Sequence, residues 1–323
     1  MPEFRLARPT TCDEAVSLLA AQPEARLVAG GTDLVPNLRR GLATPALLID
    51  LRAVKGLDTI ESGPQGLVLG AGVTLAQLAC DERFAGRYAA LGEAARAAAG
   101  PGHRSVATLG GNLCQDTRCV FYNQSEWWRR SNGWCLKRGG DTCHVAPQGA
   151  RCHAAFSGDI APALIALDAE VELVSRQGVR RVPLAECYRD DGAAHLAIGR
   201  DDIVTRIVVP APAPGWASAY RKARVRAAMD FPLAGVACAL GMRHGLVEGL
   251  RIAVTGTNSH PLKLEGTDAF AGQPLDETAL AAIGKLVQKQ VSPMRTTVTT
   301  ANYRRQVAAV MAHRLVRELA AAG

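Results

Sequence analysis

Five cysteines crowd one stretch of this 323-residue chain: Cys114, Cys119, Cys135, Cys143 and Cys152. Thiols gathered in this way can ligate a soft metal, either zinc or an iron–sulfur cluster. Cys114 directly follows a glycine-rich loop whose geometry is already fixed by residues 108–112. That leaves Cys119, Cys135, Cys143 and Cys152 as the four-ligand set, spaced C-x15-C-x7-C-x8-C. The spacing lacks the compact run of bacterial ferredoxins, and His144 and His153, each beside a cysteine, keep a mixed Cys/His zinc site open. The remaining cysteines, Cys12, Cys80, Cys187 and Cys238, are scattered and read as small buried hydrophobes.

A second kind of chemistry is signalled by paired glycines. Leu27-Val28-Ala29-Gly30-Gly31-Thr32-Asp33-Leu34 places two glycines directly after a buried-looking strand, where backbone N–H groups can converge on an anion with no Cβ in the way. Ser105-Val106-Ala107-Thr108-Leu109-Gly110-Gly111-Asn112 repeats the device. Together the two loops are expected to clamp a diphosphate from two sides. Neither is G-x-G-x-x-G, so a Rossmann dinucleotide site is not indicated.

The elements that must position these residues follow from periodicity. A strand over 4–8 precedes Thr11 and Glu14, which form a T-x-x-E helix start, and a helix through Ala21. A strand over 26–29, the first glycine loop, a helix through Leu38 and a strand over 46–51 complete a small β-α-β-α-β unit, residues 1–56. A second α/β unit, 57–215, begins with two β runs split by Gly63-Pro64. Thr74 then caps a helix, and helices over 87–99 and 161–166 and strands over 169–174 and 203–209 follow. The run Pro210-Ala211-Pro212-Ala213-Pro214-Gly215 marks a boundary. Residues 216–323 form a third unit, α+β, with β runs over 233–243 and 249–257 and helices over 277–290 and 301–319. The expected fold class is mixed α/β: two α/β subdomains followed by an α+β domain.

Composition narrows the function. Hydrophobic residues make up 48% and charged residues 21%, which predicts a folded chain, and the net charge of +7 suits an anionic cofactor or an acidic partner. No helix-turn-helix, RRM or zinc-finger signature supports nucleic-acid binding. No apolar run reaches the ~20 residues of a membrane span and the first residues lack a signal-peptide core, so a cytoplasmic protein with no membrane contact is expected.

The residues also carry a resemblance. Ala29-Gly-Gly-Thr-Asp-Leu34, Thr108-Leu-Gly-Gly-Asn112, Ser157-Gly-Asp-Ile-Ala-Pro162 and Lys222 with Asp230 resemble the FAD subunits of the xanthine dehydrogenase and carbon monoxide dehydrogenase family over essentially the whole chain. The resemblance implies that residues 28–34 supply backbone contacts to the FAD diphosphate, that Thr108, Gly111 and Asn112 line the cofactor, and that Asp159 faces its ribose or adenosine side. Lys222 would lie close to the flavin and stabilise its anionic reduced form. Ala99 and Val204 fall at further cofactor-lining positions, and Asp230 beside the flavin-edge segment.

In most of that family the segment after G-G-N is short, whereas Asn112 and Asp159 here lie 47 positions apart. The insertion, about residues 114–155, holds the five cysteines and three of the four tryptophans, Trp127, Trp128 and Trp134. It resembles the branch of the family whose flavoprotein carries an additional [4Fe–4S] cluster, with the aromatics as a shield from water. The implied role is electron relay from ferredoxin to the [2Fe–2S] centres of a small partner and the molybdopterin of a large one. The implied assembly is a heterohexamer with two copies of each subunit. Six basic residues of the insertion, Arg118, Arg129, Arg130, Lys137, Arg138 and Arg151, would dock an acidic ferredoxin. Two rivals stay open: the flavoprotein of an NAD-linked molybdenum hydroxylase with a merely structural cysteine loop, and a zinc-stapled binding module that leaves both glycine loops unexplained.

Overall fold

The computed structural model describes residues 1–227 and 229–322 and contains three sheets. The first is wholly parallel, in the order β1-β3-β2, built from β1 (Arg5–Ala7), β2 (Ala25–Val28) and β3 (Leu47–Asp50). Its crossovers are α1 (Cys12–Ala21) and α2 (Leu34–Arg39). The helix start is offset from the T-x-x-E expectation. Thr11 Oγ1 accepts from the Glu14 N–H, but the Glu14 carboxylate accepts from the Thr10 N–H, at 2.7 Å, so the cap encloses one residue more.

The second sheet has the order β4-β5-β8-β6-β7 and is antiparallel throughout, where sequence alone suggested a second α/β unit. Its strands are β4 (Ile60–Gly63), β5 (Gly66–Gly70), β6 (Glu170–Ser175), β7 (Gly178–Pro183) and β8 (Ile203–Pro210). β6 and β8 bury alternate residues, the pattern of a sheet covered on one face. Between β5 and β6 lie α3 (Leu75–Cys80), α4 (Ala89–Ala97), α5 (Pro101–Arg104), α6 (Leu109–Leu113), α7 (Glu126–Ser131) and α8 (Ile160–Ala166), of which α3, α4, α6 and α8 share a core with the sheet. α3 opens on a full capping box, Thr74 with Gln77.

The third sheet, β12-β11-β10-β9, is an antiparallel meander of β9 (Trp216–Ala223), β10 (Ala234–Arg243), β11 (Leu246–Thr255) and the short β12 (Leu262–Lys263). α9 (Glu277–Gln290) and α10 (Ala301–Ala322) pack against one another, with α10 on β10, while α4 and α8 touch the same sheet. β10 is therefore covered on both faces and buried from Ala234 to Gly241, which explains its run of small apolar residues. One core joins the second and third sheets: Tyr220, Ala237, Ala239 and Ala253 share it with Leu164, Phe156 and Leu91. Among the described residues no helix is long and apolar enough to cross a membrane.

Candidate functional site

The two glycine loops meet. A Cβ on Gly30 would run into the Val106 carbonyl, so this glycine is required by the contact between the loops. Gly31 adopts φ +71°, a left-handed conformation that turns the chain out of β2 into α2. The backbone N–H groups of residues 30–33 donate to no protein acceptor among the described residues, which leaves a concave run of donors suited to phosphate oxygens. The second loop differs. Its Leu109, Gly110 and Asn112 N–H groups go to the Val73, Ala71 and Thr108 carbonyls, and that of Gly111 goes to Thr108 Oγ1 at 3.2 Å. The Thr108 N–H, like those of residues 30–33, has no protein acceptor among the described residues, so the first loop presents a run of donors and the second a single one.

From the second loop the site continues to α8. Asn112 Oδ1 accepts from the Ile160 N–H at 3.1 Å, and Gly158 leaves room for the Asn112 carbonyl and the Phe156 ring. Asp159 follows, with its side chain 6% exposed, and Lys222 opposite it is 3% exposed. Lys222 Nζ donates to Asp159 Oδ2 at 2.9 Å and to the Ala97 carbonyl at 3.1 Å, while the Tyr220 hydroxyl donates to Asp159 Oδ1 at 2.6 Å. Burial pushes the Asp159 carboxyl above its ordinary range, with Lys222 opposing, and burial also holds the Tyr220 hydroxyl far above its own. Asp159 and Lys222, expected on the adenosine side and near the flavin, are bonded to each other, and the Lys222 ammonium is engaged. Tyr220 lies two residues from Lys222 on one strand, so both point to the same face. That spacing was the available signal for the triad.

Ala99 takes φ +45°, unusual for a residue with a Cβ, and Arg104 Nη1 holds the carbonyls of Ala98 and Ala99 at 2.9 and 3.2 Å. Val204 lies in β8 opposite Leu173, beside Thr205, whose carbonyl accepts from Ala71. Asp230 caps its own loop, accepting from the N–H groups of Val225, Arg226 and Phe231, with Arg226 as its ion-pair partner.

The insertion is closed at its neck by two backbone bonds between Arg118 and Ala155, 2.7 and 2.8 Å. Just inside that neck, Cys119, Cys135, Cys143 and Cys152 line one small chamber of about 10 Å³, together with Phe121, Tyr122, Lys137 and His144. All four sulfur residues are buried. Among the described residues, no three Cys, His, Asp or Glu side chains are gathered tightly enough to hold one ion. Cys114 lies elsewhere, its thiol pushed up to about 12 by burial and then by Cys187. His144 Nε2 meets the Trp134 carbonyl at 2.5 Å and its ring stacks on Phe121. The shielding aromatics are Phe121 and Tyr122; of the tryptophans, Trp127 is 74% exposed.

Of the six basic residues of the insertion, Arg130 is exposed and the other five are engaged or buried. Arg118 is bonded to Asp33 and Asn37, Lys137 to Asp116, Arg138 to the Gly41 carbonyl and Arg151 to Asp190, and Arg129 is buried. Asp33 also accepts from the Asp116 N–H at 3.0 Å. The side chain of the first glycine loop's acid is thus turned to the insertion, beside Cys119, a connection that sequence reasoning missed.

A flavin-carrying oxidoreductase subunit is what this arrangement defines: residues 2–212 match the FAD binding domain in molybdopterin dehydrogenase, and 218–319 the CO dehydrogenase flavoprotein C-terminal domain. The chain belongs to the FAD-binding, medium-chain subunits of the xanthine dehydrogenase and carbon monoxide dehydrogenase family. It is 34% identical over 284 residues to the aldehyde oxidoreductase FAD-binding subunit PaoB of Escherichia coli, covering 84% of this chain and 87% of the relative. Identity to the carbon monoxide dehydrogenase medium chain of Afipia carboxidovorans is 29% over 315 residues, 97% and 95% of the two chains. The fold matches a Cu,Mo-CO dehydrogenase in cyanide-inactivated form with TM-score 0.81 at 28% identity over the full length of both chains.

Proposed function

We propose that this chain is the FAD- and [4Fe–4S]-carrying electron-transfer subunit of a cytoplasmic molybdenum enzyme of the 4-hydroxybenzoyl-CoA reductase type. In that role it relays electrons from ferredoxin toward the [2Fe–2S] centres of a small partner and the molybdopterin of a large one, in a heterohexamer with two copies of each subunit. The reaction would be reductive dehydroxylation to benzoyl-CoA, on the large subunit. The observation that carries the reading is the convergence of four cysteines, from a 34-residue span, on one buried chamber. Four thiolates are the ligand number of a cubane cluster and also of a structural zinc ion, which iron and zinc analysis separates.

FAD, when bound, exchanges one or two electrons. The chain's own residues do the rest. The N–H groups of residues 30–33 bind the diphosphate, Gly30 lets the second loop brace the first, and the Asp159–Lys222–Tyr220 triad fixes the third unit against the cofactor-binding units. Ala99, Thr108, Gly111, Asn112 and Val204 complete the proposed lining. Arg118 and Asp33 tie the cysteine-bearing insertion to the first glycine loop, which supports a cluster and a flavin side by side in one subunit.

A second reading is favoured by the 34% identity to an aldehyde oxidoreductase subunit. Here the enzyme oxidises its substrate, is linked to NAD or another acceptor, and its cysteine loop is structural, with zinc or no metal. The assembled enzyme, purified anaerobically, is assayed for iron and zinc and offered 4-hydroxybenzoyl-CoA with reduced ferredoxin, or an aromatic aldehyde with NAD. Iron in this chain and benzoyl-CoA formation are expected. Zinc instead of iron, with aldehyde oxidation alone, would replace the proposal by the second reading.

A further inference from the structure

The insertion holds a cation that its protein surroundings leave unbalanced. Arg129 is 2% exposed. Its Nη1 donates to the Gln124 and Tyr122 carbonyls, at 2.6 and 3.3 Å. Its Nε and Nη2, the edge that ordinarily grips a carboxylate, have no partner among the described residues. No carboxylate lies within 4.0 Å of it among the described residues. A guanidinium taken out of water in this way is costly unless an anion compensates it.

The four-cysteine chamber adjoins Arg129. Tyr122, whose carbonyl Arg129 holds, is part of the chamber wall, and Arg129's own carbonyl accepts from Trp134, which precedes Cys135. The charged and titratable groups around Arg129 are Arg138, Tyr122, Glu126 and Cys135, and burial followed by the like charge of Arg138 disfavours its charged form. With neutral thiols this corner of the fold carries a net positive strain. Four thiolates on a cubane cluster carry a net negative charge and relieve it.

We infer that Arg129 is the buried counter-charge of the four-cysteine chamber, helping to retain an anionic cluster and raising its reduction potential. The inference rests on the cluster reading above and adds to it a residue that does not ligate. Net charge and N–H donors near the sulfurs are two of the quantities that set such a potential. Removing a fixed positive charge disfavours the added electron, so the potential must fall.

The test uses the assembled enzyme, anaerobically purified as wild type, Arg129→Gln and Arg129→Lys, with iron analysis and an EPR-monitored redox titration of the cubane signal. Arg129→Lys should keep its iron and titrate near wild type. Arg129→Gln should titrate at a lower potential or lose its iron while Arg129→Lys keeps it. A Gln variant titrating at the wild-type potential, or Gln and Lys variants shifting or losing iron equally, would overturn the inference, because packing and not charge would then matter. Wild-type enzyme with no iron in this chain would remove the cluster reading itself, a result distinct from any of these.

Discussion

Lys222 and Asp159 show how a buried pair behaves when its members are separated. Lys222→Met leaves a buried carboxylate with one hydroxyl donor, and should cost about 3–5 kcal/mol of unfolding free energy. The double variant with Asp159→Asn removes both charges and should recover most of it; denaturant titration of the three variants checks this. His195 makes a second prediction. Burial first, then Lys137, lowers its pKa from 6.5 to about 4, so it stays neutral in the fold while the unfolded chain takes up the proton. Its contribution is present above pH 6.5 and is lost as pH falls toward 4, about 3 kcal/mol in all. His195→Gln should flatten that acid limb in unfolding measurements between pH 7 and 4. The cysteine set was legible in the sequence because Cys114 is fixed by its loop, while Arg129 and Arg118 were read as surface charge. Nothing in spacing alone says that a long cationic side chain turns inward.

At the scale of elements, the glycine loops behave as one unit. Gly30→Ala drives a methyl group into the Val106 carbonyl and must part the loops. With overpacking at ~1–3 kcal/mol, FAD retention should weaken by about tenfold or more, read as flavin absorbance per chain after gel filtration. Thr108→Ala removes the cap of α6, and about 1 kcal/mol of stability should go with it. The long periodic helices α9 and α10 and the strands β5 and β8 were legible because their apolar spacing is regular. β9 was not. Trp-Ala-Ser-Ala-Tyr-Arg-Lys-Ala lacks the β-branched residues of a strand, and its pairing with β10 decides its conformation. The second sheet's antiparallel order was also hidden, because strands separated by helices suggest crossovers between parallel neighbours.

For the whole molecule, the units are not independent. Tyr220, Ala237, Ala239 and Ala253 of the third unit complete the main core, and Lys222 neutralises Asp159 across the same boundary. A fragment ending at residue 213 should therefore lose cooperative unfolding and FAD together, as judged by thermal melting and flavin content. If it melted as sharply as the full chain with FAD in place, the shared core would be dispensable. The insertion is likewise tied in, through Arg118 to Asp33 and through the Val120 N–H to the Thr296 carbonyl at 3.0 Å. Both ties fall at the N-terminal end of the insertion and fix it beside the first glycine loop and the third unit.

The measurement that bears most directly on this account is iron, zinc and FAD content of the anaerobically purified enzyme with Cys135→Ser, beside wild type and Cys114→Ser. The account predicts that Cys135→Ser loses about four irons per protomer, as a four-thiolate [4Fe–4S] site requires, and keeps its FAD, while Cys114→Ser matches wild type. Unchanged iron in Cys135→Ser, or loss of zinc in its place, would contradict it.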